Sequence, residues 1–200
     1  MVTNSVYGRC TGVLIDPRTV LTAAHCLYSP RISQFVRPQS VHVLLGYDRG
    51  QYGFHSVAEA FEVSPDYDPD KPIATSGHGW AVLFLKEHAP ETFRPFPWAG
   101  TWQLGQKVLA AGFAQQRSEV ITQTPTCRIL GETESELIVS DCLISHGLSG
   151  GPLIDKETHS VIAIQVATTK LDQRRYTLSI PVAKIDLFTT RASTTPTGRP

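Results

Sequence analysis

The sequence predicts an all-β protein. Its apolar residues occur in short runs rich in β-branched side chains, and these runs are separated by Gly, Pro, Asn and Asp. With 200 residues and 41% hydrophobic content, the chain is long enough for one large or two small domains with real cores. Its formal charge is zero, which favours neither nucleic acid nor an acidic membrane surface as a partner.

The predicted strands fall into two groups on either side of residues 96–105, which we interpret as the crossing between two domains, 1–95 and 96–188. The predicted strands are 7–15, 20–23, 40–46, 54–63 and 80–86 in the first group and 107–113, 120–130, 136–143, 151–154, 161–168 and 176–181 in the second. Apolar residues in 182–188 predict a short C-terminal helix, and the Thr-rich residues 189–200 predict a mobile tail. No apolar run approaches the ~20 residues that a membrane span requires.

A strand, a tight turn and a second strand lead directly to a histidine within residues 11–26. Asp16 suits the first position of the turn, and Pro17 presets the backbone angle of the second. The second strand ends in small residues before His25. A separate motif, Gly-Leu-Ser-Gly-Gly-Pro, occupies residues 147–152. Taken alone, that motif is also compatible with an ordinary Gly-Ser turn between strands.

Together the two motifs resemble the chymotrypsin-like (trypsin-fold) serine peptidases. Residues 21–26 read Leu-Thr-Ala-Ala-His-Cys, which is nearly the whole histidine signature of that family, and residues 147–152 resemble its nucleophile loop. The resemblance extends over roughly residues 8–188. It implies two packed antiparallel six-stranded Greek-key barrels. Only five strands are predicted in the first half, so we expect its barrel to lack the N-terminal strand and to leave an edge that a partner or a missing segment covers.

The resemblance also implies the catalytic residues. Ser149 would be the nucleophile and His25 its base, and the backbone N–H groups of Gly147 and Ser149 would form the oxyanion hole. Leu148 stands where animal members have the aspartate that pairs with a freed N-terminus, which indicates a bacterial type. We expect a protein or peptide substrate, and neither a cofactor nor a metal.

The residues that would bind substrate are less clear in the sequence. By resemblance, Leu143 and His146 form one wall of the primary pocket. A backbone edge for an extended substrate is expected at Ile164, Gln165, Val166 and Ala167. Leu143 lies near the position where trypsin-like members carry an acid, which argues against selectivity for Lys or Arg.

The third residue of the catalytic triad is missing from its expected place. Residues 79–83 read Gly-Trp-Ala-Val-Leu, so Gly79 stands where the family has aspartate. Glycine can neither accept a hydrogen bond from the imidazole nor stabilise the imidazolium. A carboxylate from the nearby loop, Asp66, Asp68 or Asp70, is the alternative source.

The four cysteines form an even set. The resemblance implies a Cys10–Cys26 disulfide, and a Cys127–Cys142 disulfide would link two neighbouring strands. Disulfides would indicate a secreted or periplasmic protein, whereas four free thiols in a cytosolic protein are the alternative. Zinc binding is disfavoured because no Cys-x-x-Cys pair occurs.

The sequence therefore predicts a serine endopeptidase that hydrolyses peptide bonds through an acyl-enzyme and is crippled by Gly79. The alternatives are an inert pseudopeptidase that binds peptides or proteins, and a deliberately inactivated variant.

Overall fold

The computed structural model describes residues 1–4 and 8–185, in which the regular structure is β apart from short 3₁₀ turns. The two halves of the chain each form a seven-stranded antiparallel sheet, and the first half adds a two-stranded one. This arrangement confirms the predicted all-β fold. No helix in this part of the chain is long and apolar enough to cross a bilayer. The predicted tail at 189–200 lies outside the described residues, and the boundary between residues 95 and 96 stays a prediction.

The first sheet contains an N-terminal strand that the sequence pattern did not reveal. The strands of the first half are β1 (Val2–Asn4), β2 (Arg9–Cys10), β3 (Val13–Asp16), β4 (Thr19–Ala23), β5 (Tyr28–Ser29), β6 (Gln34–Phe35), β7 (Val41–Leu45), β8 (Phe54–Val63) and β9 (Trp80–Leu85). In the large sheet the order is β2-β1-β7-β8-β9-β4-β3. The expected strand 7–15 is thus two strands, and β1 pairs with both β2 and β7. Within the described residues β2 and β3 do not pair, so this sheet is an open half-barrel.

The second sheet closes into a barrel. Its strands are β10 (Lys107–Gly112), β11 (Thr122–Gln123), β12 (Cys127–Glu132), β13 (Ile138–Ser140), β14 (Pro152–Asp155), β15 (Val161–Leu171) and β16 (Arg174–Pro181). Strand β10 pairs with both β12 and β14, which closes six strands, while β11 pairs with β10 alone. The expected strand 120–130 is interrupted before β12, where Pro125 lacks the N–H that a ladder needs. The predicted C-terminal helix begins as a 3₁₀ turn, Val182–Lys184, and residues 186–188 lie outside the described part.

Apolar side chains from both halves form the larger core cluster. Leu21 and Leu83 of the first sheet are fully buried, and Ile164 and Ile180 of the second barrel pack in the same cluster. Each such side chain contributes about 1.5–3 kcal/mol relative to exposure. A separate cluster around Ile129 fills the second barrel. The two halves are therefore joined by shared apolar burial as well as by the chain.

Both expected disulfides are confirmed. Cys10 is bonded to Cys26 and Cys127 to Cys142, and the described residues contain no free cysteine. The bonded residues are separated by 16 and 15 positions, and loops of this length correspond to about 3 kcal/mol each in the chain-entropy account. One bond flanks His25, and the other precedes the loop that carries Ser149.

Thr11 connects the first half to that loop. Its side chain is buried, and its N–H donates to the carbonyl oxygen of Ser149 at 2.9 Å. Its hydroxyl donates to the carbonyl oxygen of Gly147 at 2.8 Å and accepts the N–H of Phe113 at 3.0 Å. One threonine of the first half therefore holds three backbone groups of the second half.

We expect Thr11→Val to lower the free energy of unfolding by about 2 kcal/mol, because it leaves a buried N–H and a buried carbonyl without their partner. Urea unfolding measures the change. The matched control is Thr101→Val at an exposed position, which should stay within about 0.5 kcal/mol of the parent. Equal effects of the two substitutions would show that the Thr11 hydroxyl contributes nothing special.

Candidate active site

The end of β4 positions His25. The strand is buried along most of its length, and a 3₁₀ turn, Ala24–Leu27, follows it directly. The imidazole lies beside the Cys10–Cys26 bond, with a ring nitrogen within 4.8 Å of both sulfur atoms. These sulfurs cannot act as thiolate ligands because they are joined in the disulfide. The cluster is therefore a packing contact and not a metal site.

The loop around Ser149 has an uneven pattern of backbone hydrogen bonds. The N–H groups of Leu148, Gly150 and Gly151 donate to backbone carbonyls at 2.7–3.3 Å. Within the described residues, the N–H groups of Gly147 and Ser149 donate to no acceptor. Two available donors on one tight loop are what an oxyanion requires.

Two glycines of this loop cannot be replaced without displacing neighbouring backbone. Gly147 has φ +95°, and a Cβ there would lie 2.1 Å from the carbonyl oxygen of Phe113. Gly150 has φ +76°, and its Cβ would lie 2.4 Å from the carbonyl oxygen of Thr11. Both the left-handed backbone angle and the close approach therefore require glycine.

His25 and Ser149 line one cavity of about 700 Å³, together with Gly147 and His146. The two residues therefore line the same cleft although they are 149 − 25 = 124 positions apart in the sequence. Among the described residues, no hydrogen bond joins the imidazole to the Ser149 hydroxyl. In enzymes without substrate such bonds are often long, and they tighten when the substrate binds.

The pKa of His25 lies below its ordinary value of 6.5. Burial is the main cause, because it disfavours the charged imidazolium, and the neighbouring charge of His146 lowers the pKa further. No carboxylate is among the causes. The imidazole is therefore neutral near pH 7 and can accept a proton, but among the described residues no carboxylate stabilises the imidazolium that results.

Gly79 lies next to the turn that carries His25. Its carbonyl oxygen accepts a hydrogen bond from the N–H of Ala24 at 2.8 Å. This bond directly follows the last residue pair of the β4–β9 ladder, Ala23 with Trp80. The φ of −76° at Gly79 lies on the side that L-residues adopt, and its ψ of 36° lies outside the main helical and extended regions. A Cβ would meet the carbonyl oxygen of Ser76 at 3.1 Å, so a side chain needs only a small local shift.

The loop aspartates have other neighbours. Asp66 is exposed and lies 3.8 Å from the imidazole of His78. A carboxylate oxygen of Asp68 accepts the N–H of Asp70 at 2.9 Å, and Asp70 itself is exposed. None of the three contributes to the pKa of His25. The geometry therefore gives no support to a carboxylate supplied by this loop.

The expected substrate edge is shorter than the sequence indicated. Ile164 is paired on both sides, with Pro152 of β14 and Ile180 of β16. The N–H and the carbonyl of Gln165 are both bonded to the loop after Ser149. The expectation that Ile164 and Gln165 offer free backbone is therefore wrong.

An unpaired edge remains beyond Gln165. The pairing of β14 with β15 ends at Ile164. On the other edge of β15, the pairing with β16 continues, with a β-bulge between Gln165 and Ala167. Val166 and Ala167 thus stay candidates for main-chain contacts with a substrate. The Gln165 side chain is fully buried and donates to the carbonyl oxygen of Pro152 at 3.0 Å, so it supports the fold.

The two candidate pocket residues differ in position. Leu143 is 70% exposed, and it does not line the cavity that holds Ser149. His146 lines that cavity and lies close enough to His25 to influence its charge. The same cavity is lined by Arg9, Ser29 and Arg31, which no sequence motif singles out. The one sequence clue to a place in this cavity is that Arg9 directly precedes Cys10, whose predicted disulfide partner is next to His25.

This fold and the meeting of the two loops define the chymotrypsin class of β-barrel proteins. The model of the trypsin-like peptidase domain family matches residues 10–164, and the chain belongs to that family. A search of curated protein sequences finds no match. The bacterial type stays a prediction.

Solved structures of low sequence identity share the fold. A Glu endopeptidase in complex with MPD is 18% identical, with a TM-score of 0.74 over 93% of this chain and 86% of that one. A mutant of human heparin binding protein is 19% identical, with a TM-score of 0.77 over 100% of this chain and 92% of that one. At these identities the likeness concerns the fold alone.

We expect His146→Gln to raise the pKa of His25, because it removes a charge that opposes protonation of the imidazole. NMR titration of the His25 ring checks this, with a starting midpoint below 6.5. His88→Gln, at an exposed position outside the cavity, is the matched control and should leave the midpoint unchanged. A downward shift in the first variant would contradict the assigned cause.

Proposed function

We propose that this chain is a serine endopeptidase that works through an acyl-enzyme, at a rate strongly reduced by Gly79. The observation that carries the proposal is the pair of N–H groups on Gly147 and Ser149, which donate to no acceptor in the described part of the chain and lie at the cavity that His25 also lines. The substrate would be a protein or peptide, as the peptidase family implies.

Each step has a residue to perform it. The Ser149 hydroxyl attacks the substrate carbonyl while His25 takes its proton, and the two N–H groups hold the developing oxyanion. His25 then returns the proton to the leaving amine, and water cleaves the acyl-enzyme by the reverse sequence. In the best-studied enzyme of this fold, changing the aspartate to asparagine lowers kcat about 10⁴-fold, and glycine offers even less.

A second candidate is a binding module that recognises peptides or proteins without cleaving them. Gly79 and the lack of any carboxylate effect on His25 favour it, because a binding site needs no activated serine. The third interpretation, a deliberately inactivated variant, predicts the same geometry. These candidates differ in what happens when the carboxylate is restored.

A secreted or periplasmic location is part of the proposal. Two disulfides that involve every cysteine of the chain support it, since such bonds persist in oxidising compartments.

A fluorophosphonate probe should label Ser149, because the neutral imidazole can still accept its proton. Mass spectrometry of the labelled peptide identifies the site. Ser149→Ala should abolish labelling, whereas Ser135→Ala, at an exposed position, should not change it. Absence of labelling in the parent chain would favour the binding module.

Gly79→Asp should raise kcat for an ester or peptide by about 10³-fold or more, since the new carboxylate can orient the imidazole and stabilise its charged form. Initial rates measure the gain. Gly100→Asp places the same charge where the added side chain meets nothing within 4 Å, and it should give no gain. If Ser149 is labelled and yet Gly79→Asp gives no increase, the missing aspartate is not what limits turnover.

A further inference from the structure

The cavity beside Ser149 carries positive charge. Two arginines, Arg9 and Arg31, line it, and its described lining contains no aspartate or glutamate. The chain as a whole is neutral, so this is a local concentration of charge. A cleft lined by one sign of charge attracts ligands of the opposite sign.

Arg31 is the arginine whose charge remains available. Arg9 is paired with Glu119 at 2.8 Å and bonded to Ser118 at 2.5 Å, which offsets its charge. Arg31 is exposed, and within residues 1–4 and 8–185 it forms no ion pair. An anion that enters the cavity therefore meets Arg31 without having to displace a carboxylate.

The cavity lies on one side of the nucleophile. Its lining includes Ser149 and the Cys10–Cys26 bond, but no residue of β15. The backbone edge at Val166 and Ala167, which would hold the acyl part of a substrate, belongs to β15. The part of the substrate beyond the cleaved bond is therefore the part that reaches the cavity.

We propose that this cavity binds an acidic side chain of the substrate on the leaving-group side, with Arg31 pairing with the carboxylate. Assignment to the leaving group rests on the proposed peptidase function. Recognition of an Asp or Glu side chain within a peptide does not rest on that function. Arg31 acts here as a specificity residue and takes no part in bond cleavage.

Short peptides with a free N-terminus represent the leaving group and test the proposal directly. Three tripeptide amides carry Glu at the first, second or third position with Ala elsewhere, and each has a Gln counterpart. Calorimetric titration of the full chain should show at least one Glu peptide binding about fivefold more tightly than its Gln counterpart at low salt. The preference should largely disappear near 1 M salt, where the charges are screened.

Matched variants identify the residues responsible. Arg31→Ala should reduce the Glu-over-Gln preference to within about twofold, whereas Arg37→Ala, an exposed arginine outside the cavity, should preserve it. Equal binding of all Glu and Gln pairs, or a preference that survives Arg31→Ala, overturns the proposal.

Fluorophosphonate labelling separates this inference from the proposed function. If Ser149 is labelled while Glu and Gln peptides bind equally, the inference fails and the peptidase proposal stands. If acidic peptides bind selectively through Arg31 but Ser149 resists the probe, the acidic site stands and the peptidase proposal fails. A sulfated oligosaccharide that binds through Arg31 while the Glu peptides show no preference would replace the peptide as the ligand.

Discussion

The backbone hydrogen bond from Thr11 to Ser149 is the constraint on which the candidate site depends. It joins a residue between β2 and β3 to the loop that carries the nucleophile, 138 positions later by the difference 149 − 11. The same segment begins at Cys10, whose disulfide leads to Cys26, the neighbour of His25. One short stretch of chain therefore fixes both loops. Gly150 is required because any Cβ there would press against the carbonyl oxygen of Thr11.

This arrangement explains how the site can keep its shape without a triad carboxylate. The turn that carries His25 is held by a backbone bond, from the N–H of Ala24 to the carbonyl oxygen of Gly79, which any residue at position 79 can provide. What glycine removes is the partner of the ring itself, and with it control over the tautomer and the stabilisation of the imidazolium. In the proposed peptidase, position and electrostatics would thus be supplied separately, and only the electrostatics would be lost.

The sequence predicted the site more fully than its surroundings. The segments around His25 and Ser149 are short, and their chemistry is local, so their residues could be recognised without knowing the fold. The error at Ile164 and Gln165 arose because their pairing is decided by strands that are distant in sequence, β14 and β16. Strand β1 was missed because three residues are too few to show alternation. The proposed role of Arg31 depends on a cavity, which no sequence pattern describes.

The charge of the cavity bears on the missing aspartate as well. Arg31 lines the cavity together with His25, and burial and His146 already lower the pKa of that imidazole. In this setting a proton taken from Ser149 is held at a cost, since nearby positive charge opposes the imidazolium. That cost arises from burial and His146, and Arg31 is not among its causes. In the proposed peptidase, acidic substrates would therefore gain in binding through Arg31, whereas a carboxylate restored at position 79 would stabilise the imidazolium itself.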